Sequence, residues 1–310
     1  MARILTIGGA QLGPIARDEP RQSVVARLLH LMSQAADRGC DVVVFPELAL
    51  TSFFPRWWME DDEVETFFER EMPSPVTQPL FDAARERGVG FYLGYAELAE
   101  ENQSTQHYNA SILVDKSGSI VGKYRKVHLP GHADHKTDWP YQHLEKRYFD
   151  VGDLGFNTWR TMDGVMGMAI CNDRRWPETY RVLALKGAEV VMLGYNTPSY
   201  IPWEPTYNDL TSFHNHLCMQ AGAYQNGTWV VGVAKAGIEE GCDLIGGSMI
   251  AAPTGEIVAQ AITKRDELII ADCDLDLCGR TQDAMFNFAA HRRIEHYRVI
   301  TEQAGVTSPD

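Results

Sequence analysis

The chain has 310 residues, of which 45% are hydrophobic and 23% are charged, an ordinary globular composition with ample material for a core. Its formal net charge of -14 at pH 7 argues against nucleic acid or an anionic membrane as a partner, because both require a basic footprint. Six scattered cysteines without a Cys-x-x-Cys pair, and no apolar run of about 18 residues, favour a reduced protein without a membrane span. We therefore expect a soluble cytoplasmic protein.

Strand and helix patterns alternate along the chain. Residues 1–7 are too short an apolar stretch for a signal peptide and indicate a first strand. Residues 22–36 carry apolar side chains at helical spacing, and Gly39 is the expected stop of that helix. Residues 41–45 and 190–193 are short apolar runs typical of buried strands.

A second long helix is predicted from about residue 210 to residue 224. No Pro/Gly/Ser-rich linker or low-complexity segment divides the chain. We therefore expect a single domain over residues 1–310, with a short polar C-terminal tail at residues 304–310.

Two pairs of segments repeat the same pattern. Residues 38–45 and 186–193 each combine a helix end, a glycine cap and a buried strand. Residues 111–121 and 248–258 each predict a hairpin whose glycine supplies the special dihedral of the turn. Two comparable sets predict an α/β fold of two similar sheets packed face to face with helices outside, and chance similarity among common α/β patterns is the alternative.

The segment around Cys171 has a strand–turn–helix profile. The apolar run 167–170 ends at Cys171, Arg174 and Arg175 follow, and Pro177 opens a helix-like segment. A thiol at such a turn can lie near the positive end of the next helix and beside fixed cations, which favours the thiolate. An arginine pair in so acidic a chain indicates a small anion as ligand, and two ordinary solvated arginines are the alternative.

Side chains able to do chemistry stand at the ends of three predicted strands. Glu47 follows one buried strand, and Cys171 ends another. Alternation through residues 122–130 places Tyr124, Lys126 and His128 on one face. Open α/β sheets build their sites beyond strand ends, so we expect these groups to converge. Each has a structural explanation when taken separately, as a loop cap, a surface lysine or a core cysteine.

In their local contexts Glu47, Lys126 and Cys171 resemble the Glu-Lys-Cys triad of the nitrilase (carbon–nitrogen hydrolase) superfamily, and most closely its N-carbamoyl-D-amino acid amidohydrolases. The likeness covers nearly the whole chain, and residues 171–178 form its most specific motif. The other similar segments are residues 45–57, 122–132, 143–149, 194–198 and 210–214. The resemblance implies a four-layer α-β-β-α sandwich of two mixed sheets, no cofactor, and assembly into homo-oligomers, either dimers or tetramers.

The resemblance and the chemistry of ureido hydrolysis together suggest roles for four residues. Cys171 would attack the carbamoyl carbon, while Glu47 would take the thiol proton and later activate water. Lys126, with a backbone N–H beyond Cys171, would stabilise the tetrahedral oxyanion. Glu145 resembles the family's second glutamate and would orient Lys126 or the substrate's amide nitrogen, although its cationic neighbours also explain a carboxylate there.

The substrate that the resemblance implies, an N-carbamoyl amino acid, carries an α-carboxylate that needs a cationic partner. Arg174 and Arg175 follow the nucleophile closely enough to bind it in the bidentate manner of a guanidinium fork. Further pocket residues implied by the family positions, or expected to donate hydrogen bonds there, are Asn172, Asn196, Thr197, His128 and His143. Thr197 also precedes a proline in a pattern typical of turns, so a structural role in a turn is the alternative to substrate binding.

A metallohydrolase is the first alternative, because His128, His132 and His135 could bind zinc. A Pro-Gly pair between the first two prevents their helical presentation, and no His-Glu-x-x-His motif is present. The pair Cys273 and Cys278 lacks further ligands nearby in sequence. We therefore expect no metal.

Two other functions remain open at this point. An N-carbamoyl-β-alanine hydrolase or an aliphatic amidase would use the same triad, although a simple amide has no carboxylate for the arginines. An inactive relative acting as a scaffold would not need all three triad residues. The preference for the D-enantiomer follows from the resemblance alone, and the aromatic loops at residues 132–140 and 200–208 favour a bulky, partly apolar substrate side chain.

Overall fold

The computed structural model describes residues 2–101 and 104–309. Within these ranges the strands are β1 (Ile4–Gln11), β2 (Val42–Val44), β3 (Gly90–Glu101), β4 (Ser104–Val114), β5 (Ile120–Arg125), β6 (Thr158–Thr161), β7 (Gly164–Ile170), β8 (Val190–Tyr195), β9 (Trp229–Ala234), β10 (Ala236–Glu239), β11 (Cys242–Ile245), β12 (Met249–Ala251), β13 (Ile257–Gln260) and β14 (Glu267–Asp274). The α-helices are α1 (Arg21–Asp37), α2 (Asp61–Val64), α3 (Gln78–Arg87), α4 (Glu145–Tyr148), α5 (Pro177–Leu185), α6 (Thr211–Asn226), α7 (Asp276–Met285), α8 (Phe288–His291) and α9 (Arg298–Glu302).

The two long predicted helices are α1 and α6, each within two residues of its predicted bounds. A glycine in the left-handed region follows each of them, Gly39 at φ +75° and Gly227 at φ +61°. The predicted first strand is β1, and Met1 lies outside the described residues. Residues 304–309 form neither helix nor strand, and Asp310, the last residue of the predicted tail, also lies outside the described residues.

Two six-stranded mixed sheets form the centre of the molecule, in the orders β14-β1-β2-β3-β4-β5 and β13-β12-β9-β8-β7-β6. In each sheet three adjacent strands run parallel, β1-β2-β3 in the first and β7-β8-β9 in the second. Antiparallel strands flank them on both sides. This shared arrangement confirms the prediction of two similar sheets.

The two predicted hairpins are β4–β5 and β12–β13, the outer strands of the two sheets. Gly118 and Gly255 occupy their turns with φ of +77° and +88°. Such dihedrals strain residues with a Cβ atom, which explains a glycine at the same place in both hairpins.

The inner core lies between the two sheets. Ile7, Val44 and Tyr92 of the first sheet share one buried cluster with Met168 and Val231 of the second. Burial of each apolar side chain of this size contributes about 1.5–3 kcal/mol relative to exposure, so this interface holds the sheets together.

The outer layers are helical. Val43 points away from the inner core and packs with α1 and α3 in a second cluster that includes Leu28 and Leu80. On the other side α5 and α6 pack on the second sheet through residues such as Leu183 and Met219. Because β2 is buried on both faces, all three of its positions are valine, which is typical of parallel strands covered by helices. The result is the predicted four-layer α-β-β-α sandwich.

The sheets are also joined by hydrogen bonds near the end that carries the candidate site. The hydroxyl of Tyr92 on β3 donates to the carbonyl of Ala169 on β7 at 2.9 Å, and accepts from the N–H of Gly194 on β8 at 3.2 Å. These bonds fix β3 of the first sheet relative to β7 and β8 of the second. Along the described chain, none of the helices combines the length and the apolarity that crossing a bilayer requires.

Candidate active site

Cys171 stands at a sharp turn after a buried strand. Strand β7 ends at Ile170, a short 3-10 helix covers Cys171–Arg175, and α5 begins at Pro177, as the sequence predicted. The φ of Cys171 is +46°, a left-handed conformation that is strained for a residue with a side chain. This turn leaves the backbone N–H of the following residue, Asn172, in the first turn of the short helix, where N–H groups have no acceptor within the helix.

Glu47 follows β2 and is inserted between the two sheets. A Cβ atom built on Gly194 of β8 would lie 2.1 Å from the Glu47 nitrogen, and one on Gly94 of β3 would lie 2.8 Å from the Glu47 Cα. Real Cβ atoms do not approach backbone so closely, so only glycine fits at these two positions. One glycine from each sheet therefore sets the position of Glu47.

Five buried side chains form a polar cluster, namely Glu47, Asn109, Lys126, His143 and Glu145. The Nζ of Lys126 lies 2.8 Å from Oε1 of Glu47 and 2.5 Å from Oε2 of Glu145. Asn109 on β4 donates from Nδ2 to the same Glu47 oxygen at 2.8 Å and to Glu145 at 3.5 Å. The Nε2 of His143 lies 3.0 Å from the other oxygen of Glu145. Each carboxylate is thus oriented by at least two partners.

The charges of this cluster shift the pKa values of its members. Burial opposes the charge on Lys126, but its electrostatic interactions with Cys171 and with the carboxylates of Glu145 and Glu47 outweigh burial and raise the pKa of the ammonium. Burial would likewise raise the pKa of Glu145, yet Lys126 and His143 hold it below its ordinary value. At neutral pH both groups are therefore charged.

The surroundings of Cys171 keep its side chain protonated at neutral pH. Burial, and then the negative charge of Glu47, raise the pKa of Cys171 to about 11, although Lys126 and Arg174 act in the opposite direction. The resting group is a thiol that needs a base, because enclosure by protein and a nearby carboxylate outweigh the cations.

Ligand atoms of Glu47, Glu145 and Cys171 lie within 4.8 Å of one another, close enough to share a metal ion. The ammonium of Lys126, however, contacts both carboxylates and places a protein cation in that space. A divalent ion there would meet this positive charge at hydrogen-bonding range. The donor set therefore suits the lysine and fits a metal poorly.

The three histidines of the metal alternative point to separate partners. His128 Nδ1 lies 2.7 Å from the carboxylate of Asp173, and His132 Nε2 lies 3.3 Å from the side-chain oxygen of Gln142. His135 stacks on Trp58 with ring centroids 4.8 Å apart. Across residues 2–101 and 104–309, these histidines belong to no group of three ligands.

A cavity of about 440 Å³ opens above Cys171. Five of the predicted binding residues line it, namely His143, Asn172, Arg175, Asn196 and Thr197. Further walls come from Pro198 and from the aromatic loop at residues 200–208, which contributes Ile201, Trp203, Glu204 and Tyr207.

Arg174 does not face this cavity, which corrects its assignment to the substrate carboxylate. Its Nη1 donates to the carbonyl of Cys171 at 2.6 Å, and its Nη2 donates to Oγ1 of Thr197 at 2.7 Å. Its Nε donates to Asn215 at 2.9 Å, and the guanidinium lies over the ring of Tyr195 at 4.4 Å. The side chain is 1% exposed, so its donors hold the nucleophile turn instead.

Arg175 has the opposite environment. It lines the cavity beside Cys171, and in the described part of the chain its guanidinium makes no hydrogen bond or ion pair. Adjacent residues of a tight turn point in different directions, so one arginine is buried and its neighbour is free. The pair therefore divides into a structural and a pocket arginine.

His128 lies outside the cavity, which corrects the expectation that it donates to substrate. Its Nδ1 is 2.7 Å from Asp173, and its ring stacks between Trp176 and Phe156, at centroid distances of 4.9 and 6.0 Å. Its carbonyl accepts a hydrogen bond from a pocket residue, Asn172, whose Nδ2 lies 3.2 Å away. The strand β5 ends at Arg125, so strict alternation does not continue to residue 128.

Asn196 and Thr197 line the cavity and also support its machinery. Asn196 Nδ2 donates to the carbonyl of Glu47 at 2.9 Å and to its Oε2 at 3.2 Å. Thr197 accepts the hydrogen bond from Arg174 given above. Their immediate partners are thus the base and the nucleophile turn.

Sequence reasoning missed Asn109 and Asp173 as parts of the site. Asn109 is 1% exposed on β4, and a buried amide requires hydrogen-bond partners, but polar residues elsewhere in this strand mask that signal in the sequence. Asp173 is fully buried and sits within the recognised motif, where it had been given no role. Both act on residues of the triad or its flanks rather than at the cavity surface.

A family model described as carbon–nitrogen hydrolase matches residues 6–283 of the chain. The chain belongs to this family, within the nitrilase superfamily, as the resemblance predicted. N-carbamoylputrescine amidase from Arabidopsis thaliana is 33% identical over 294 residues, covering 91% of each chain. Citrullinase from Francisella tularensis is 29% identical, covering 81% of this chain and 83% of its own.

Solved structures share the fold. A carbon–nitrogen hydrolase from Helicobacter pylori superposes with a TM-score of 0.81 at 24% identity, covering 97% of this chain and 99% of its own. An amidase from Nesterenkonia sp. gives 0.71 at 20% identity, with 95% of each chain covered, and one mutant of it holds a covalent acetamide adduct at its active-site cysteine. The present chain is thus an enzyme of the carbon–nitrogen hydrolase family acting on amides, with a Glu-Lys-Cys-type site and a cysteine nucleophile.

Proposed function

We propose that this enzyme hydrolyses N-carbamoyl-D-amino acids to the D-amino acid, ammonia and carbon dioxide. The observation that carries the proposal is the unpartnered Arg175, which lines the same cavity as Cys171. A carboxylate two bonds from the ureido nitrogen matches a guanidinium placed beside the nucleophile. The likeness of residues 171–178 to N-carbamoyl-D-amino acid amidohydrolases supports the D configuration.

In the first half-reaction Cys171 Sγ attacks the carbamoyl carbon while Glu47 takes the thiol proton. Lys126 and the N–H of Asn172 stabilise the oxyanion. The tetrahedral intermediate then expels one nitrogen substituent, which leaves as a neutral amine after receiving the proton from Glu47. A carbamoyl group remains bound to sulfur.

In the second half-reaction Glu47 takes a proton from water, and the resulting hydroxide attacks the thioester carbon. The C–S bond breaks, sulfur recovers its proton, and the released carbamic acid decomposes to carbon dioxide and the second amine. Glu145 and Asn109 keep Lys126 and Glu47 in place throughout, through the 2.5 and 2.8 Å contacts described above.

The decisive experiment combines a substrate panel with removal of the nucleophile. N-carbamoyl-D-amino acids are compared with their L-enantiomers, N-carbamoyl-β-alanine and a simple amide. We expect the highest kcat/KM for the D-derivatives, and none in Cys171→Ala, which should stay folded and bind substrate. Cys40→Ala, at another buried cysteine, is the matched control and should remain active. Full activity of Cys171→Ala, or no turnover of any D-derivative by the wild type, contradicts the proposal.

Thiol alkylation and chelation test the metal alternative on the same preparation. We expect alkylation of Cys171 to abolish turnover and exhaustive chelation to leave it intact. Loss of activity on chelation, restored by a divalent ion, would overturn the metal-free mechanism.

A second candidate substrate is N-carbamoylputrescine, which has no carboxylate and carries an ammonium group at the far end of a four-carbon chain. Glu204 favours it, since this carboxylate lines the cavity and, among the described residues, its side chain has no hydrogen bond or ion pair. The relative from Arabidopsis thaliana is named for that substrate. Arg175→Gln should weaken binding of the carboxylate substrate, whereas Glu204→Gln should weaken binding of the ammonium substrate, so the two variants decide between the candidates.

A further inference from the structure

Two segments, residues 130–143 and 198–210, meet at the mouth of the cavity. Trp139 of the first and Trp203 of the second are stacked, with ring centroids 4.9 Å apart and planes inclined by 22°. His132 stands edge-on to both rings, at 5.0 and 6.0 Å. We call Trp139, Trp203 and His132 the aromatic wall.

The first segment is closed on itself by an amide. The side chain of Gln142 accepts from the N–H of Lys136 at 2.8 Å and donates to the carbonyl of the same residue at 2.7 Å. At the base of this loop, the N–H of His132 donates to the carbonyl of His143 at 2.9 Å. The hydroxyl of Tyr141 donates to the carbonyl of Tyr200, which joins the two segments. The aromatic wall is therefore built on closed loops.

The two tryptophans have different positions relative to the cavity. Trp203 lines it, whereas Trp139 packs behind Trp203 and is not among the lining residues. Trp203 remains 38% exposed despite this stacking. It also meets His143 edge-on at 6.1 Å, and His143 in turn contacts Glu145 of the buried cluster. An uncovered indole surface thus lies close to the reacting groups.

We propose that Trp203, held in place by Trp139, is the subsite for a planar aromatic side chain of the N-carbamoyl amino acid. This inference rests on the proposed function and specifies its substrate class. Aromatic rings gain from offset stacking beyond the area that they bury, and the stacked pair offers one flat surface for a third ring. Trp203 contacts the substrate, and Trp139 is a positioning residue.

The stacked geometry favours a ring over a cation. An ammonium group is bound best when several aromatic faces surround it. Here Trp139 covers one side of Trp203, and the two planes are nearly parallel rather than arranged as a box. A flat ring uses this surface fully.

The test compares substrates that differ in planarity at equal size. N-carbamoyl-D-phenylalanine carries a phenyl ring, N-carbamoyl-D-cyclohexylalanine carries its saturated counterpart, and N-carbamoyl-D-alanine has neither. We expect the wild type to prefer the phenyl substrate over the cyclohexyl one by about tenfold in kcat/KM, mainly through KM. Trp203→Leu and Trp139→Leu should reduce this ratio to near one, whereas Trp203→Phe should keep most of it.

The matched control is Trp58→Leu. Trp58 stacks on His135 of the same first segment, and neither residue is among those that line the cavity. Trp58→Leu should retain the preference for the phenyl substrate. This result would show that loosening the first segment does not by itself abolish the preference. Thermal denaturation checks that each variant is folded.

The outcomes separate this inference from the proposed function. Turnover of the alanine substrate without preference between the two larger ones, or a preference that survives in Trp203→Leu, overturns the subsite and leaves the proposed function intact. No turnover of any of the three overturns the proposed function itself. Faster hydrolysis of N-carbamoylputrescine that is lost in Trp203→Leu would assign the indole to a cation and contradict the aromatic side chain.

Discussion

Asp173 accepts two hydrogen bonds from His128, one from its backbone N–H at 3.0 Å and one from its ring Nδ1 at 2.7 Å. The other carboxylate oxygen accepts from the hydroxyl of Tyr124 at 2.7 Å and from the N–H of Ile170 at 3.0 Å. Tyr124 and His128 flank Lys126 in the chain, and Ile170 precedes the nucleophile. One carboxylate therefore ties the lysine segment to the cysteine turn.

Asp173→Asn should damage this link although it preserves size. All four contacts are donors, so an amide NH2 group must face at least one of them and leave it unsatisfied. Each buried unsatisfied donor costs about 1–3 kcal/mol. We expect a lower Tm and a kcat reduced by about tenfold or more, with KM changed less, because Lys126 and Cys171 lose their relative position.

The comparison variant is Asp82→Asn, at an exposed position on α3. It should change stability by no more than about 0.5 kcal/mol. Wild-type kcat and Tm in Asp173→Asn would show that the link is dispensable.

Glu47→Gln should lower the pKa of the Cys171 thiol. The negative charge of Glu47 is the main electrostatic cause that raises this pKa to about 11, so its removal favours the thiolate. The pH profile of alkylation by iodoacetamide should therefore move to lower pH in the variant, even as turnover is lost with the base. Cys171→Ala identifies the signal of this thiol, and an unshifted profile would mean that burial alone sets the pKa.

Arg174→Gln should mainly lower the stability of the protein, whereas Arg175→Gln should mainly weaken substrate binding. Arg174 makes four buried hydrogen bonds, one of them from Nη1 to the sulfur of Cys171 at 3.7 Å, and their loss should destabilise the protein by about 2–4 kcal/mol and lower Tm. Arg175 has no partner to lose among the described residues, so its replacement should leave Tm nearly unchanged and raise KM for a carboxylate substrate about 10- to 100-fold. Equal effects of the two variants on KM alone would contradict this division.

Much of the frame of the site was predictable from local patterns. The apolar run ending at Cys171 and the buried strand before Glu47 place both residues at strand ends. Such placements are predictable because hydrophobic periodicity, proline and glycine determine local structure. The helices α1 and α6 and the two hairpins follow from the same kind of signal.

Other features depend on contacts between distant segments and were not predictable. Arg174 and Arg175 are neighbours in sequence, and only the packing of α6 and β8 around the first distinguishes them. Asn109 joins the cluster through the register of β4 beside β5. The pKa of Cys171 depends on burial, for which the charges nearby in sequence are a poor guide.

Gly194→Ala should disable the enzyme through the position of its base. The added Cβ would lie 2.1 Å from the Glu47 nitrogen, so this backbone must move by an ångström or so. A displacement of that size at a catalytic group costs about 100-fold in rate. We expect a corresponding loss of kcat in steady-state kinetics.

Gly279→Ala on α7 is the matched control, because its added methyl group meets nothing within 4 Å. It should stabilise the protein by about 0.5–1 kcal/mol, since alanine favours the helix, and leave kcat unchanged. Wild-type kinetics in Gly194→Ala would mean that the strand relaxes around the methyl group without moving Glu47.

The first proton transfer, from Cys171 to Glu47, takes place beside Lys126 in the buried cluster. With Cys171 as a thiol, the two carboxylates and the ammonium carry one net negative charge in a space from which water is excluded. When the proton moves from sulfur to Glu47, the net charge of Cys171 and the cluster together does not change. The negative charge only moves from the Glu47 carboxylate to the sulfur. The surrounding protein therefore solvates the same net charge before and after the step, and the large desolvation energies of a dry interior largely cancel from the barrier.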